Sequence, residues 1–207
     1  MRESGNAGSI KPDQTKDKNV SDQIFFSVIV PTYGRTHLLS ECLAALSRQD
    51  YPKELWEVIV VDDGSPNPPN EVVQSFCESM DVDLVIKNHA GPAAARNQGA
   101  ARARGEILAF TDDDCAPAPN WLSALEVRFR SNKRIAVGGK TLNSKPDNLF
   151  STASQLLIDY LYGYYNQDPD HAVFLTSNNL AVPASAFHEL GGFDTGFERA
   201  AAEDREL

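Results

Sequence analysis

From Phe26 onward the chain alternates short apolar runs with longer segments whose apolar residues recur every three or four positions. The runs Ser27–Pro31, Val58–Val61, Leu84–Ile86 and Ile107–Phe110 are too short for buried helices and are bounded by turn residues, so they read as buried strands. Leu38, Leu39, Cys42, Leu43 and Leu46 mark one helix, and Val72, Val73, Phe76, Cys77 and Met80 predict a second running to Met80. Pro92 sits where a third helix begins and Gly105 where it stops. A fourth helix is predicted from Asn120 to Arg130, and a fifth strand at Ile135–Val137. Strand and helix in regular alternation imply crossover units, hence an α/β fold with a mostly parallel central sheet and helices on both faces. Past Asp147, Leu149–Tyr165 reads as an aromatic-rich helix and Leu180–Val182 as a short strand.

Residues 1–24 are nearly empty of large apolar side chains and cannot repay the entropy of ordering, so they read as a disordered leader. The remainder, 25–207, is read as one domain, since 207 residues with 42% apolar content suit one layered core rather than two. A net charge of −10, with no basic run, excludes nucleic acid as partner and requires any anionic substrate to be neutralised locally. Cys42, Cys77 and Cys115 lie far apart without a CxxC pair, which suggests neither a zinc site nor a disulfide framework. With no signal-peptide core and no apolar stretch near the roughly 20 residues of a membrane span, the reading is a soluble, cytoplasmic protein.

In open parallel sheets ligands collect beyond the carboxyl ends of the strands. Three predicted strands end in polar groups: Pro31-Thr32-Tyr33-Gly34, Asp62-Asp63-Gly64-Ser65 and Thr111-Asp112-Asp113-Asp114. Taken singly, each is ordinary turn and capping chemistry. Together they bring five carboxylates to one edge, where like charges about 4 Å apart repel by roughly 4 kcal/mol at an effective dielectric of about 20. A cation is therefore expected among them, and oxygen-only ligands favour Mg²⁺ or Mn²⁺. In an extended segment Asp112 and Asp114 share one face while Asp113 points away, which makes Asp114 the expected direct ligand with Asp112 beside it. An ion held by so few protein groups keeps positions open for a diphosphate.

The segment Asn88–Gly99 sets small residues at a strand-to-helix junction, followed by Arg96. Free amides there would suit phosphate or ribose. Equally, Ala93–Ala95 permit close helix packing and Arg96 is a surface charge. Thr176–Asn179 reads as a polar turn before a strand. Tyr160, Tyr162, Tyr164 and Tyr165 read as packing rather than a sugar platform, and the four histidines are dispersed and unassigned.

The motifs Ser27–Tyr33, Val60–Ser65, Gly91–Asn97, Thr111–Asp114 and Glu203-Asp204 occur in an order that resembles glycosyltransferase family 2. The resemblance implies the GT-A fold, a Rossmann-like sheet, and an inverting transfer from a nucleotide-diphosphate sugar, UDP-linked in the commonest case, to an acceptor hydroxyl. It assigns Pro31, Tyr33 and Asp63 to the nucleotide base, with Asp62 beside them, and Arg96 to the donor. Asp112–Asp114 match the DxD motif, Asp112 and Asp113 toward the ribose and Asp112 and Asp114 toward Mn²⁺ or Mg²⁺. Asp204 becomes the catalytic base, its dipeptide raised in weight by the preceding Gly191–Asp194. The acceptor is expected to be a glycan, a lipid-linked saccharide or another hydroxyl compound in polysaccharide or cell-surface glycan synthesis. The resemblance also implies further chain after Leu207, where peripheral membrane association would reside. A sugar nucleotidyltransferase would carry a Gly-rich, basic loop after its first strand, which Pro31–Gly34 is not; a nucleotide-sugar-binding module without catalysis is the other alternative.

Overall fold

The computed structural model describes residues 23–168 and 170–196. Its first two strands, β1 (Phe26–Thr32) and β2 (Trp56–Asp62), are buried along their whole length, as continuous apolar runs flanked by helices require. β3 (Val82–Ile86) lies outside β2 and β4 (Ile107–Thr111) outside β1, and these pairings are all parallel. β6 (Asn179–Pro183) then runs antiparallel to β4, and the two-residue β5 (Val137–Gly138) closes the sheet in the order β3-β2-β1-β4-β6-β5.

Alternate side chains face opposite layers. Phe26, Val28, Val30, Val58 and Val60 pack under α1 (Thr36–Leu46) and α4 (Trp121–Ser131) through Leu39, Leu43, Leu122 and Phe129. Ile29, Ile59, Val61, Leu108 and Phe110 face the other way, against α3 (Pro92–Arg102) and α6 (Ala184–Glu189). Only small residues let α3 lie so close: a Cβ added to Gly99 would stand 2.6 Å from Ile29 Cγ2. The packing reading of the Ala-rich segment is therefore realised, with Ala95 and Ala100 buried against the sheet.

Three expectations need correction. The chain joins the core before residue 25, because Ile24 is buried and its carbonyl accepts from Tyr51 Oη at 2.7 Å. The second helix ends early: α2 spans Asn70–Gln74 and the chain continues to Met80 in turns. Ser75 and Ser79 hydroxyls bond the carbonyls of Val72 and Phe76, at 2.7 and 2.8 Å, competing locally with the helical ladder. The fifth strand is two residues long and displaced to Val137–Gly138.

The aromatic-rich segment forms α5 (Leu149–Tyr165), capped by Asn148, which accepts from Ser151 N at 3.0 Å. Tyr162 Oη lies 3.0 Å from Thr176 Oγ1 and its ring meets Phe174 edge-on, so α5 is braced against the segment entering β6. No helix among the described residues is long and apolar enough to cross a membrane.

Candidate active site

Because β2, β1 and β4 are neighbours, their carboxyl ends set Asp62-Asp63, Thr32-Tyr33 and Asp112–Asp114 side by side. A cleft of about 700 Å³ opens there, lined by Pro31, Tyr33, Arg35, Asp63, His89, Arg96 and Asp112 on one side. Leu157, Leu161 and Phe174 form an apolar wall, with Thr176 and Ser177 below them.

Asp62 and Asp113 do not line the cleft; both are fully buried behind it. Asp62 accepts from the Ser65 amide at 3.2 Å and from its hydroxyl, closing the turn after β2. Ser65 Oγ in turn accepts from Gly34 N at 2.8 Å, which ties that turn to the one after β1.

Asp113 accepts from Thr32 Oγ1 at 2.7 Å and from Arg35 Nε at 3.2 Å. Its other oxygen faces Arg35 Nη2 at 2.5 Å outside hydrogen-bond geometry, an ionic contact. Burial raises its carboxyl above the ordinary range; Thr32 and Arg35 oppose that rise, while Asp114 and Asp112 add to it. Asp114 is half exposed, 3.1 Å from Arg35 Nη1.

The alternation expected for Asp112–Asp114 does not hold. β4 ends at Thr111, and the chain turns, with Cys115 N bonding Asp112 O at 3.1 Å. Asp113 and Asp114 therefore share Arg35, while Asp112 points to α3 and meets Arg96 Nη2 at 2.7 Å. Arg96 is 4% exposed, so it is a buried partner of the acidic turn and not a surface charge.

Asp63 receives Lys87 Nζ at 2.6 Å and the Ala90 amide at 3.0 Å on one oxygen and the Gly91 amide at 2.8 Å on the other, while His89 Nδ1 hydrogen-bonds the backbone carbonyl of Asp63 at 3.1 Å. Asp63 thus shapes the loop after β3, and two of the amides expected to be free for an anion are committed to it. Gly64, at φ 82°, permits the fit: a Cβ there would sit 2.8 Å from His89 N.

Burial alone would raise the Asp63 carboxyl, but Lys87 and the Ala90 and Gly91 amides outweigh it and hold it below 3.8. A depressed folded value contributes stability that is complete above the unfolded value and lost as pH falls through the folded one. Asp63→Asn is accordingly expected to be less stable than the parent by about 1.5–3 kcal/mol near neutrality. In urea titrations repeated across pH, that gap should close below about pH 4; a gap independent of pH would contradict the ionic arrangement.

Tyr33 and His89 stack on each other at the cleft rim, centroids 4.4 Å apart and planes 29° apart, with Tyr33 48% exposed. An exposed aromatic face at the rim of a cleft of this size suits a nucleobase. His89, Arg35 and Lys87 were not singled out by sequence, and Thr32 entered only as part of its turn. Arg35 directly follows the Pro31–Gly34 turn, a signal within reach; His89 looked like one of four scattered histidines until β3 and α3 set its loop beside Tyr33.

The carboxylates are compensated by Arg35, Arg96 and Lys87. Among the described residues no three His, Cys, Asp or Glu side chains form a cage for a metal ion. Asp112 and Asp114, with side chains 28% and 47% exposed, still fit a hard divalent ion, because Mg²⁺ and its relatives are commonly held by one or two carboxylates plus substrate phosphates.

Gly191–Asp194 is clasped to α3: Asn97 Nδ2 donates to Phe193 O at 2.8 Å and Asn97 Oδ1 accepts from Phe193 N at 2.9 Å. Glu203 and Asp204 lie outside the described residues. Of the tyrosines in α5, Tyr160 and Tyr164 are exposed and stack on each other at 6.0 Å, and none of the four lines the cleft.

Residues 27–191 match the sequence profile of glycosyl transferase family 2. The glycosyltransferase AglE of Haloferax volcanii is 41% identical over 100 residues, covering 47% of this chain and 33% of the relative. Validoxylamine A glucosyltransferase of Streptomyces hygroscopicus subsp. jinggangensis is 29% identical over 209 residues, covering 87% of this chain and 50% of the relative. The chain therefore spans a third to a half of the length of these relatives. Among solved structures, the mannosyltransferase PcManGT of Pyrobaculum calidifontis, in complex with GDP-Man and Mn²⁺, superposes with a TM-score of 0.68 at 25% identity, covering 89% of this chain and 50% of that one. The fold is that of the GT-A glycosyltransferases.

Proposed function

Since this chain belongs to glycosyl transferase family 2, we propose that it carries the donor-binding and catalytic portion of a metal-dependent enzyme that moves a sugar from a nucleoside-diphosphate sugar to an acceptor hydroxyl with inversion. The observation that carries this reading is the arrangement of Asp112, Arg35 and Arg96 around one cleft, with Asp114 against Arg35 and the exposed Tyr33–His89 stack at the rim. Charges of both signs beside an aromatic face match the parts of a nucleoside diphosphate. PcManGT, solved with GDP-Man and Mn²⁺, lends weight to a donor of this class.

In this mechanism Tyr33 and His89 hold the base, with Pro31 beneath and Asp63 fixing the His89 loop. Asp112 and Asp114 would hold Mn²⁺ or Mg²⁺, which when bound supplies a Lewis acid for charge gathering on the leaving diphosphate. Arg96 orients Asp112, and Thr176 and Ser177 face the sugar. Asp204 removes the acceptor proton as its oxygen attacks the anomeric carbon, and a single displacement inverts that centre. We read the acceptor as a hydroxyl of a cell-surface glycan or lipid-linked saccharide, handled in the cytoplasm.

The test is thermal unfolding with UDP and GDP, each with Mn²⁺, Mg²⁺ or a chelator. The cognate nucleotide at about a hundred times its dissociation constant should add about 2.7 kcal/mol, and only with metal present. Stabilisation by neither nucleotide, or one indifferent to the chelator, would overturn the proposal.

A further inference from the structure

Arg35 is bound at its two ends by carboxylates of opposite character. Nε donates to one oxygen of Asp113 at 3.2 Å and Nη2 makes an ionic contact with the other at 2.5 Å; this carboxylate is inaccessible to solvent and is also held by Thr32. Nη1 reaches Asp114 at 3.1 Å, where both side chains are 47% exposed. Ion pairs in such exposure contribute little, whereas a hydrogen bond and an ionic contact to a buried carboxylate hold the guanidinium more firmly, since parting them would leave that charge buried and unpaired. The outer contact is therefore the one that yields, and it yields on an arginine that already lines the cleft.

We propose that Arg35 couples metal loading to capture of the diphosphate, an inference that rests on the function proposed above. Without metal, Nη1 occupies Asp114, and guanidinium and ion compete for the same carboxylate. When a divalent cation takes Asp114, Nη1 is released while Nε and Nη2 stay anchored on Asp113. The freed N–H groups then face the cleft, where the diphosphate oxygens are the acceptors that fit them. Each ligand thereby favours the other.

Calorimetry separates the two halves. For Arg35→Lys and Arg35→Ala, Mn²⁺ alone should bind about three-fold more tightly than to the parent, because the competing cation no longer reaches Asp114. At saturating Mn²⁺, the cognate nucleoside diphosphate should bind about ten-fold or more weakly, because the charge-assisted hydrogen bonds are gone. Arg35→Lys retains a cation beside buried Asp113 and keeps the test valid where Arg35→Ala fails to fold. Unchanged Mn²⁺ affinity in Arg35→Lys, or an unchanged gain in nucleotide affinity on adding metal, would overturn the role of Arg35 alone. Failure of the parent protein to bind either UDP or GDP with Mn²⁺ would overturn the proposed function and this inference with it.

Discussion

Asp112→Asn should weaken metal-dependent binding of the nucleoside diphosphate by about 10- to 100-fold, the range expected for losing one charge-assisted contact worth about 1.5–3 kcal/mol. Asp112 is the acidic residue of the β4 turn that lines the cleft, and its pairing with Arg96 at 2.7 Å leaves its other oxygen for a cation. Asparagine keeps the shape and one acceptor for Arg96 but removes the charge. A second, structural effect is expected, because Arg96 is buried and loses an ionic partner. The two effects separate in a double-mutant cycle with Arg96→Met: stability changes at the two sites should be strongly non-additive, whereas chelator sensitivity should vanish with Asp112→Asn alone. Unchanged nucleotide affinity and chelator response in Asp112→Asn would remove Asp112 from the metal site.

The position of Asp112 could be read from the chain because strand ends in a parallel sheet are legible: apolar runs of fixed length followed by polar turns locate the carboxyl edge of the sheet without coordinates. Five of the six strands, the helices on both faces and the gathering of Pro31, Tyr33, Asp63 and Asp112 around one cleft follow from that pattern. What the pattern could not supply was direction at single residues. The alternation rule for Asp112–Asp114 presumes extended backbone, and a hydrogen bond from Cys115 N to Asp112 O turns the chain instead. Charge balance was equally hidden. Arg35 lies far along the chain from Lys87 and Arg96, and the three look scattered, yet the topology brings all of them onto the acidic edge. A sequence shows that repulsion must be compensated; only the fold shows which cations do it.

Asp204→Asn should lower turnover by about 10² to 10⁴-fold while leaving donor affinity within a few-fold of the parent. The reasoning starts from what the described cleft contains. The two acidic side chains that line it are already engaged, Asp63 by Lys87 and the Ala90 and Gly91 amides, and Asp112 by Arg96. With both committed to those partners, the base is proposed to come from elsewhere in the chain. The Gly191–Asp194 segment, pinned to α3 through Asn97, leads the chain onward to Glu203 and Asp204 from a point on the layer that also carries Arg96. Asparagine at 204 preserves size and hydrogen bonding but has no basic oxygen, which isolates proton transfer from binding. Glu203→Gln is the control and should retain turnover within a few-fold. Turnover that survives Asp204→Asn refutes the assignment, turnover lost in Glu203→Gln instead moves the base by one residue, and a parallel loss of donor affinity in Asp204→Asn assigns that carboxylate to binding.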